Sequence, residues 1–268
     1  MTVINSGEIA VPAPPTANGD AVNPEVAALT AVATQPDTVF LTTSTPVNSE
    51  LELPRSAADG LIQKPFPKPL DEAKPQSPQE LTPDQKSKYE AVLKTVSSWT
   101  KIPTKSESKA TTAPITDDER MWLTRECLLR YLRATKWNVS EAEDRIQRTL
   151  IWRREYGMEK LTPDYISVEN ETGKQVILGF DIHGRPCQYL LPSNQNTEKS
   201  DRQIQHLVFM IERAIELMGP DQETLALLVN FSETKSGQNA TIGQAKQALH
   251  ILQNHYPERL GRALVING

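Results

Sequence analysis

Residues 225–231 have the sequence LALLVNF, which is apolar on both faces of an extended strand. Strands of this composition occur in sheets that are covered on both sides, and such sheets are mostly parallel. On the C-terminal side, residues 241–255 have helical spacing and end before Pro257, and residues 262–266 form another apolar strand. A strand, a helix and a strand in this order predict a right-handed crossover between parallel neighbours.

A hairpin and a long helix precede this unit. Residues 175–180 and 187–191 are strand-like, and the turn between them contains Gly184. Residues 200–218 follow with apolar side chains three and four positions apart, which predicts a helix with one buried side. The predicted fold class over residues 161–268 is therefore α/β, with a mostly parallel sheet and covering helices. Because the sequence stops directly after the last strand, we expect this domain to be partial.

Residues 81–160 have the pattern of a separate helical domain. Thr82 and Pro83 are typical of a helix start, and this first helix should end by Trp99. A polar linker then extends to residue 113.

Two further helices should form an antiparallel layer in this domain. Thr116 caps a helix that we predict to continue to Leu132, with acidic residues in its first turn. The next helix should begin at Ser140 and end at Gly157, since glycine is common after the last helical residue. An N-terminal helical layer would thus precede the sheet.

Residues 1–80 differ in composition from the rest of the chain. They hold twelve of the twenty prolines, with Thr, Ala, Ser and Gln between them. Such a segment clusters too little apolar surface to offset the entropy of ordering, so we predict that it is disordered. An edge strand at residues 39–41 is the alternative.

The net charge of −5 is unevenly distributed along the chain. Residues 1–80 carry ten acidic and four basic side chains, whereas the remaining residues carry 24 acidic and 25 basic ones. A global electrostatic attraction to nucleic acid is therefore excluded, and any basic site must be local.

Cysteine use and hydropathy indicate the compartment. Cys127 and Cys187 do not make a disulfide framework, which is typical of a reducing environment. The first 15 residues lack the basic start and apolar core of a signal peptide, and the longest apolar run, residues 225–229, is too short to span a bilayer. These observations predict a soluble cytoplasmic protein, and they leave contact with a membrane surface open.

The sequence lacks the common motifs of catalysis. It has no Gly-x-Gly-x-x-Gly, no Gly-x-x-x-x-Gly-Lys-Ser/Thr and no Gly-x-Ser-x-Gly. Its four histidines do not have metal-ligand spacing. We therefore predict a binding protein with no cofactor and no enzymatic activity.

Basic residues are concentrated between Arg120 and Lys160, with ten bases against six acids. They form either a solvated helix face or a patch for anionic lipid headgroups, in which each exposed base contributes ~1 kcal/mol. A nucleic-acid site is less favoured, because the aromatic residues of this region follow the core periodicity.

Two other features also allow two interpretations. Residues 255–261 (HYPERLG) are either a structural connector or a site at which Glu258 accepts hydrogen bonds from a polyol. The apolar stripe of the helix over residues 204–218 either fills the core or lines a cavity for an apolar ligand. Periodicity alone does not separate these alternatives.

Taken in order, these features resemble the CRAL-TRIO family of lipid-exchange proteins. The similarity covers about residues 80–268, so residues 81–160 resemble the family's N-terminal domain and residues 161–268 its lipid-binding domain. The stretches that carry it are CLLRYLRATKW (127–137), WRREYG (152–157), GRP (184–186) and HYPERLG (255–261). ENETGKQVILG (169–179) and QHLVFMIER (205–213) are similar to a fungal phosphatidylinositol transfer branch linked to azole tolerance.

The resemblance implies a protein that binds phosphatidylinositol in an apolar cavity over the sheet and exchanges it between membranes, supporting phospholipid homeostasis. A second lipid or a sterol is implied by the branch. Headgroup contacts are implied for Glu258, Arg133 and Lys136, while Thr135 occupies a position where some relatives have a base. The expected lining of the cavity is Tyr189, Leu207, Ile211, Ala214 and Leu227.

Family members continue past the last strand into a gate helix, the cavity floor and a headgroup-binding lysine. An open cavity would leave acyl chains in water at a cost of ~0.8 kcal/mol per methylene. We therefore expect the chain, as a C-terminally truncated sequence, to hold lipid poorly. A non-exchanging lipid-sensing or scaffold protein, or a non-functional fragment, is the alternative.

Overall fold

A computed structural model describes residue 66, residues 68–75 and residues 80–266. Most of the segment predicted to be disordered, including the alternative edge strand at residues 39–41, lies outside these residues, as do residues 267–268. The disorder of residues 1–80 therefore stays a prediction.

The first part of the described chain is helical and packs around its own apolar core. Its elements are α1 (Pro83–Ser98), β1 (Lys101–Pro103), β2 (Thr112–Pro114), α2 (Asp117–Trp122), α3 (Arg125–Ala134) and α4 (Val139–Tyr156). β1 and β2 pair as an antiparallel ribbon. Fully buried side chains of α1, α3 and α4 share the core: Val92, Leu128, Leu132, Ala142 and Ile146.

Local sequence signals set several helix ends, as predicted. Thr82 accepts a hydrogen bond from the Gln85 N–H, and Thr116 accepts one from the Glu119 N–H. The side chains of Gln85 and Glu119 in turn accept hydrogen bonds from the backbone N–H groups of Thr82 and Thr116, which completes a capping box at each helix. α4 ends at Gly157, whose φ of 70° lies in the left-handed region that glycine adopts easily.

The prediction of one continuous helix up to Leu132 is wrong, because the chain forms two helices there. Leu123 leaves the helical region with φ −79° and ψ 51°. The Thr124 hydroxyl then accepts a 3.2 Å hydrogen bond from the N–H of Cys127 and starts α3. A second cap inside the apolar pattern therefore divides the helix.

Two smaller predictions in the same region also need correction. α4 begins after Asn138 and not at Ser140, since the Asn138 side chain accepts a hydrogen bond from the Glu141 N–H. The stretch predicted as a polar linker contains the strands β1 and β2. Arg154 of α4 donates hydrogen bonds to the carbonyls of Ile102 in β1 and Pro114 in β2, which holds the two strands against α4.

The second part is a mixed four-stranded sheet with helices. Its elements are α5 (Pro163–Asn170), β3 (Gln175–Phe180), β4 (Pro186–Leu190), α6 (Asp201–Glu216), β5 (Leu225–Asn230), α7 (Ile242–His255) and β6 (Leu260–Ile266). The strand order is β3-β4-β5-β6, with β3 antiparallel to β4 and the other neighbours parallel. This confirms the predicted α/β class, the hairpin and the mostly parallel sheet. The sequence-based prediction lacks α5, although Thr162 and Pro163 start it with a cap and a proline.

α6 covers the sheet and contacts β3, β4 and α7. Its buried residues Val208, Ile211 and Ala214 share one apolar core with Leu225 and Val229 of β5. β5, whose apolar sequence predicted a covered sheet, therefore packs against α6.

Residues 68–75 lie against the turn between β3 and β4. The Lys74 N–H donates a 3.0 Å hydrogen bond to the Ile182 carbonyl, and the Lys74 carbonyl lies 3.3 Å from Nδ1 of His183. Gly184 in this turn has a φ of 72°, and a Cβ there would lie 3.5 Å from Pro69. The composition of the N-terminal segment does not predict these contacts.

We expect Thr124→Ala to lower the free energy of unfolding by about 1 kcal/mol, because the first turn of α3 loses a side-chain acceptor. Ser200→Ala is the matched control, since Ser200 is the N-cap of α6 but its side chain makes no capping hydrogen bond. Its effect should stay within about 0.5 kcal/mol. Urea unfolding measures both values, and equal losses would contradict the role of Thr124.

Candidate functional site

A cavity of about 260 Å³ lies between the sheet, α6 and α7. One water needs roughly 10–15 Å³ of such space, so the cavity has room for a much larger group. Its apolar lining residues include Ile204, Leu207, Ile211, Leu225, Leu227, Ala248 and Leu252. Some apolar residues of α6 therefore pack in the core and others line the cavity, so both interpretations of its apolar stripe apply.

The structure places three of the five expected lining residues in the cavity wall. Leu207, Ile211 and Leu227 line it, whereas Tyr189 and Ala214 do not. Tyr189 lies between two lining residues of β4, Gln188 and Leu190, and successive side chains of a strand point to opposite faces. Ala214 is fully buried in the core on α6.

Part of the cavity wall is polar, which the sequence-based prediction misses. Its polar lining residues include Lys174, Gln175, Gln188, Gln195, Gln203, Gln238 and Gln244. A chain of hydrogen bonds connects three of them, Gln244, Gln203 and Lys174: Gln244 donates to Gln203 at 2.9 Å, and Gln203 donates to the Thr197 hydroxyl at 3.1 Å. Thr197 in turn donates to Glu169 at 2.7 Å, and Glu169 forms a buried ion pair with Lys174. Glutamines at irregular spacing gave no signal in the sequence.

Glu258 lines another part of the wall, next to Pro257 and Arg259. Its φ of 60° is unusual for a residue with a side chain, so its backbone is held in a left-handed conformation. The Nε of Arg133 donates to the Glu258 carboxylate at 3.4 Å. The structure therefore brings two of the three expected headgroup residues together.

Lys136, the third of these residues, is exposed and does not line the cavity. It follows the end of α3 with a φ of 52°, and its N–H donates to the Arg133 carbonyl at 2.9 Å. Thr135 beside it is buried, and its hydroxyl donates to backbone carbonyls of α3. The Thr135 side chain therefore satisfies carbonyl groups at the C-terminal end of α3.

Glu223 is a site residue that the sequence does not reveal. Its carboxylate accepts a 2.9 Å hydrogen bond from Arg133 and a 3.4 Å one from Arg130, and its carbonyl accepts a 2.8 Å bond from Arg259. Burial, together with the charge of Arg130, lowers the pKa of Arg259 to about 10, so this guanidinium is still charged at neutral pH. Three guanidinium groups and the carboxylates of Glu223 and Glu258 thus form one cluster with a surplus positive charge.

α4 fixes the end of α7 and therefore the loop that carries Glu258. The Trp152 and His255 rings stack with centroids 4.1 Å apart and an interplanar angle of 4°. The Tyr131 hydroxyl donates to Thr149 at 2.8 Å, and the Thr149 hydroxyl lies 3.1 Å from Nδ1 of His255. Arg145 donates to a carbonyl at the end of α7 at 2.7 Å.

His206, which is buried, and His255, which is half-buried, are neutral near pH 7. Burial, and then the charge of Lys174, lowers the pKa of His206 to about 4. Burial, and then the neighbouring His250 and Arg145, lowers the pKa of His255 to about 4. Neither imidazole adds charge to the cavity at physiological pH.

Most arginines of the basic region join elements of the fold. Arg153 pairs with Glu212 of α6 at 2.7 and 3.1 Å, and Arg154 pairs with Glu119 at 2.5 and 2.8 Å. Arg148 pairs with Asp144 on its own helix. Most arginines of this region therefore have a partner within the fold, and the contact of the region with anionic lipid headgroups stays a prediction.

Within residues 66, 68–75 and 80–266, no group of three or more His, Cys, Asp or Glu side chains could hold a metal ion. In the same residues, no helix has the length and apolar character that crossing a membrane requires.

Comparisons with known families agree with this geometry. The model of the CRAL/TRIO domain matches residues 170–268, and the model of the CRAL/TRIO N-terminal domain matches residues 88–148. Together the two matches cover more than half of the chain.

Known proteins match over the same region. A CRAL-TRIO domain-containing protein of Schizosaccharomyces pombe is 54% identical over 211 residues, which is 78% of this chain and 21% of that protein. The phosphatidylinositol transfer protein PDR17 of Saccharomyces cerevisiae is 42% identical over 205 residues, which is 70% of this chain and 59% of that protein. The chain thus spans less than two thirds of the length of both relatives. The crystal structure of Sfh5 matches with a TM-score of 0.45 and 15% identity, over 54% of this chain and 57% of the other.

Proposed function

The chain belongs to the CRAL/TRIO family, in its fungal phosphatidylinositol transfer branch, and from this premise we propose that it binds phosphatidylinositol and exchanges it between membranes. Exchange of this lipid would support phospholipid homeostasis. The proposal includes a cytoplasmic monomer that contacts membrane surfaces transiently.

The observation that carries the proposal is the position of Glu258 in the wall of an apolar cavity. Inositol presents several hydroxyl donors, and a carboxylate is a strong acceptor for them because the hydrogen bonds are charge-assisted. The phosphate of the headgroup would be attracted by the surplus positive charge of Arg130, Arg133 and Arg259. The acyl chains would occupy the wall formed by Leu207, Ile211 and Leu227, at ~0.8 kcal/mol per buried methylene.

Lys136 has a different place in this proposal. It is exposed at the end of α3, near Arg133 in sequence and outside the cavity wall. We propose that it contacts the anionic membrane surface during exchange, where one exposed base contributes about 1 kcal/mol.

We expect Glu258→Gln to weaken the binding of dihexanoyl phosphatidylinositol by about tenfold or more, because a hydrogen bond to a charged group contributes roughly 1.5–3 kcal/mol. The affinity for dihexanoyl phosphatidylcholine should fall by less, because its trimethylammonium group has no hydroxyl donor and interacts with a carboxylate only through its charge. Isothermal titration calorimetry with these short-chain lipids measures headgroup binding with little burial of acyl chains, so the test does not depend on the expectation that this chain holds full-length lipids poorly.

Glu216→Gln is the control for this experiment, because Glu216 is an exposed residue that pairs with Arg213 on α6. It should bind both lipids as the unsubstituted chain does. An unchanged ratio of the two affinities in Glu258→Gln would refute the assignment of the inositol site.

A further inference from the structure

Arg133 is shared between two carboxylates at the edge of the cavity. Its Nη2 lies 2.9 Å from Glu223, whereas its Nε lies 3.4 Å from Glu258. Hydrogen bonds between guanidinium and carboxylate groups are usually 2.7–2.9 Å long. The contact with Glu223 is therefore the tight one, and the contact with Glu258 is loose.

The backbone of Glu223 is itself held in this position. Arg259 donates to its carbonyl at 2.8 Å, whereas Arg130, whose side chain is 7% exposed, makes only a longer 3.4 Å contact with its carboxylate. Glu223 directly precedes Thr224, whose hydroxyl accepts a 3.0 Å bond from Arg185 and whose neighbour Leu225 begins β5. The Glu223 carboxylate that anchors Arg133 is thus carried by backbone that is fixed two residues before the start of β5.

Without Glu223, the planar guanidinium of Arg133 would be free to turn. Arginine prefers a bidentate pair with a carboxylate, in which two parallel N–H groups contact both oxygens. Glu258 is the second carboxylate within reach of Arg133. A bidentate pair there would occupy the lone pairs that a ligand hydroxyl needs.

We propose that Glu223 is a positioning residue of the headgroup site, which holds Arg133 away from Glu258 and so leaves the Glu258 carboxylate available to ligand hydroxyls. This inference rests on the proposed function, because it concerns the same polyol-binding carboxylate. It adds a specificity-determining residue that lies 90 positions from Arg133 in the sequence and does not line the cavity.

The test is a double-mutant cycle on the 268-residue chain with Glu223→Gln, Glu258→Gln and the double variant. Dihexanoyl phosphatidylinositol and dihexanoyl phosphatidylcholine are titrated into each protein. Glu223→Gln should weaken inositol-lipid binding roughly fivefold and leave choline-lipid binding unchanged, and the double variant should bind no more weakly than Glu258→Gln alone. Coupling of this kind is expected only if Glu223 acts through Glu258.

A purely structural role would give a different pattern. Glu223→Gln would then weaken the binding of both lipids equally, or its effect would add fully to that of Glu258→Gln, and either result overturns the inference. If Glu258→Gln changes selectivity and Glu223→Gln does not, the inference on Glu223 fails while the proposed function stands. If Glu258→Gln itself has no effect on selectivity, both fail.

Arg133→Lys provides a second variant in case Glu223→Gln does not fold. A lysine ammonium keeps the charge but cannot bridge two carboxylates with a rigid fork. Because lysine cannot form a bidentate pair with Glu258, Arg133→Lys should keep the ratio of the inositol-lipid to the choline-lipid affinity within about twofold of that of the unsubstituted chain. A fall in this ratio as large as that in Glu258→Gln would contradict the inference.

Discussion

Glu212→Ala should lower the free energy of unfolding by about 3 kcal/mol, because it leaves a largely buried guanidinium without its partner. Glu212 accepts hydrogen bonds from Arg153 at 2.7 and 3.1 Å, and the two side chains are 20% and 19% exposed. The Tyr256 hydroxyl donates to the same carboxylate at 2.6 Å. One carboxylate thus joins α4, α6 and the loop that leads to Glu258.

Chemical unfolding of Glu212→Ala and Glu216→Ala measures this effect against a matched control on the same helix. The pair of Glu216 with Arg213 is 58% and 46% exposed, and exposed pairs contribute roughly 0–1 kcal/mol. Similar losses in the two variants would show that the buried pair has no special role.

The pH dependence of stability gives a second measure of the same pair. Burial disfavours ionisation of Glu212, but the hydrogen bond and charge of Arg153 and the hydrogen bond from Tyr256 outweigh it and lower the pKa of the carboxyl. A lowered pKa means that the stabilisation is present above the unfolded value of about 4.3 and is lost as the pH falls further. The stability difference between the unsubstituted chain and Glu212→Gln should therefore shrink below about pH 4.

Elements with a local signal could be predicted from the sequence. Thr82 with Pro83, Thr116 and Gly157 mark helix ends through interactions within a few residues, and the structure has those ends. The apolar run over residues 225–231 indicated a covered parallel strand because its composition reflects burial on both faces.

The missed features depend on contacts between residues that are distant in sequence. Whether Thr124 caps a helix or continues one depends on how α2 and α3 pack, which the apolar spacing alone does not show. The role of Glu223 depends on a contact with Arg133 across 90 positions. The side of β4 that faces the cavity follows from the pairing register, so the assignment of Tyr189 to the lining had no support in its own sequence neighbourhood.

Gly261→Ala should lower the free energy of unfolding by about 2 kcal/mol, because the added methyl group has no space. A Cβ on Gly261 would lie 2.5 Å from Nε of Arg185, 2.6 Å from Oγ1 of Thr224 and 2.8 Å from Cβ of Thr224. Arg185 and Thr224 are hydrogen-bonded to each other at 3.0 Å, so neither can move without loss of that bond. The glycine of the HYPERLG stretch is thus required by close packing.

Gly219→Ala is the control for this prediction, since a Cβ there would meet no atom within 4 Å and should change stability by less than about 0.5 kcal/mol. Thermal unfolding distinguishes the two variants, and equal melting temperatures would contradict the packing argument.

Thr224 follows Glu223, and Gly261 lies three residues after Glu258, so relief of the clash must displace one wall of the charged cluster. Gly261→Ala should therefore also reduce the ratio of inositol-lipid to choline-lipid affinity, which links the packing of β6 to headgroup selectivity.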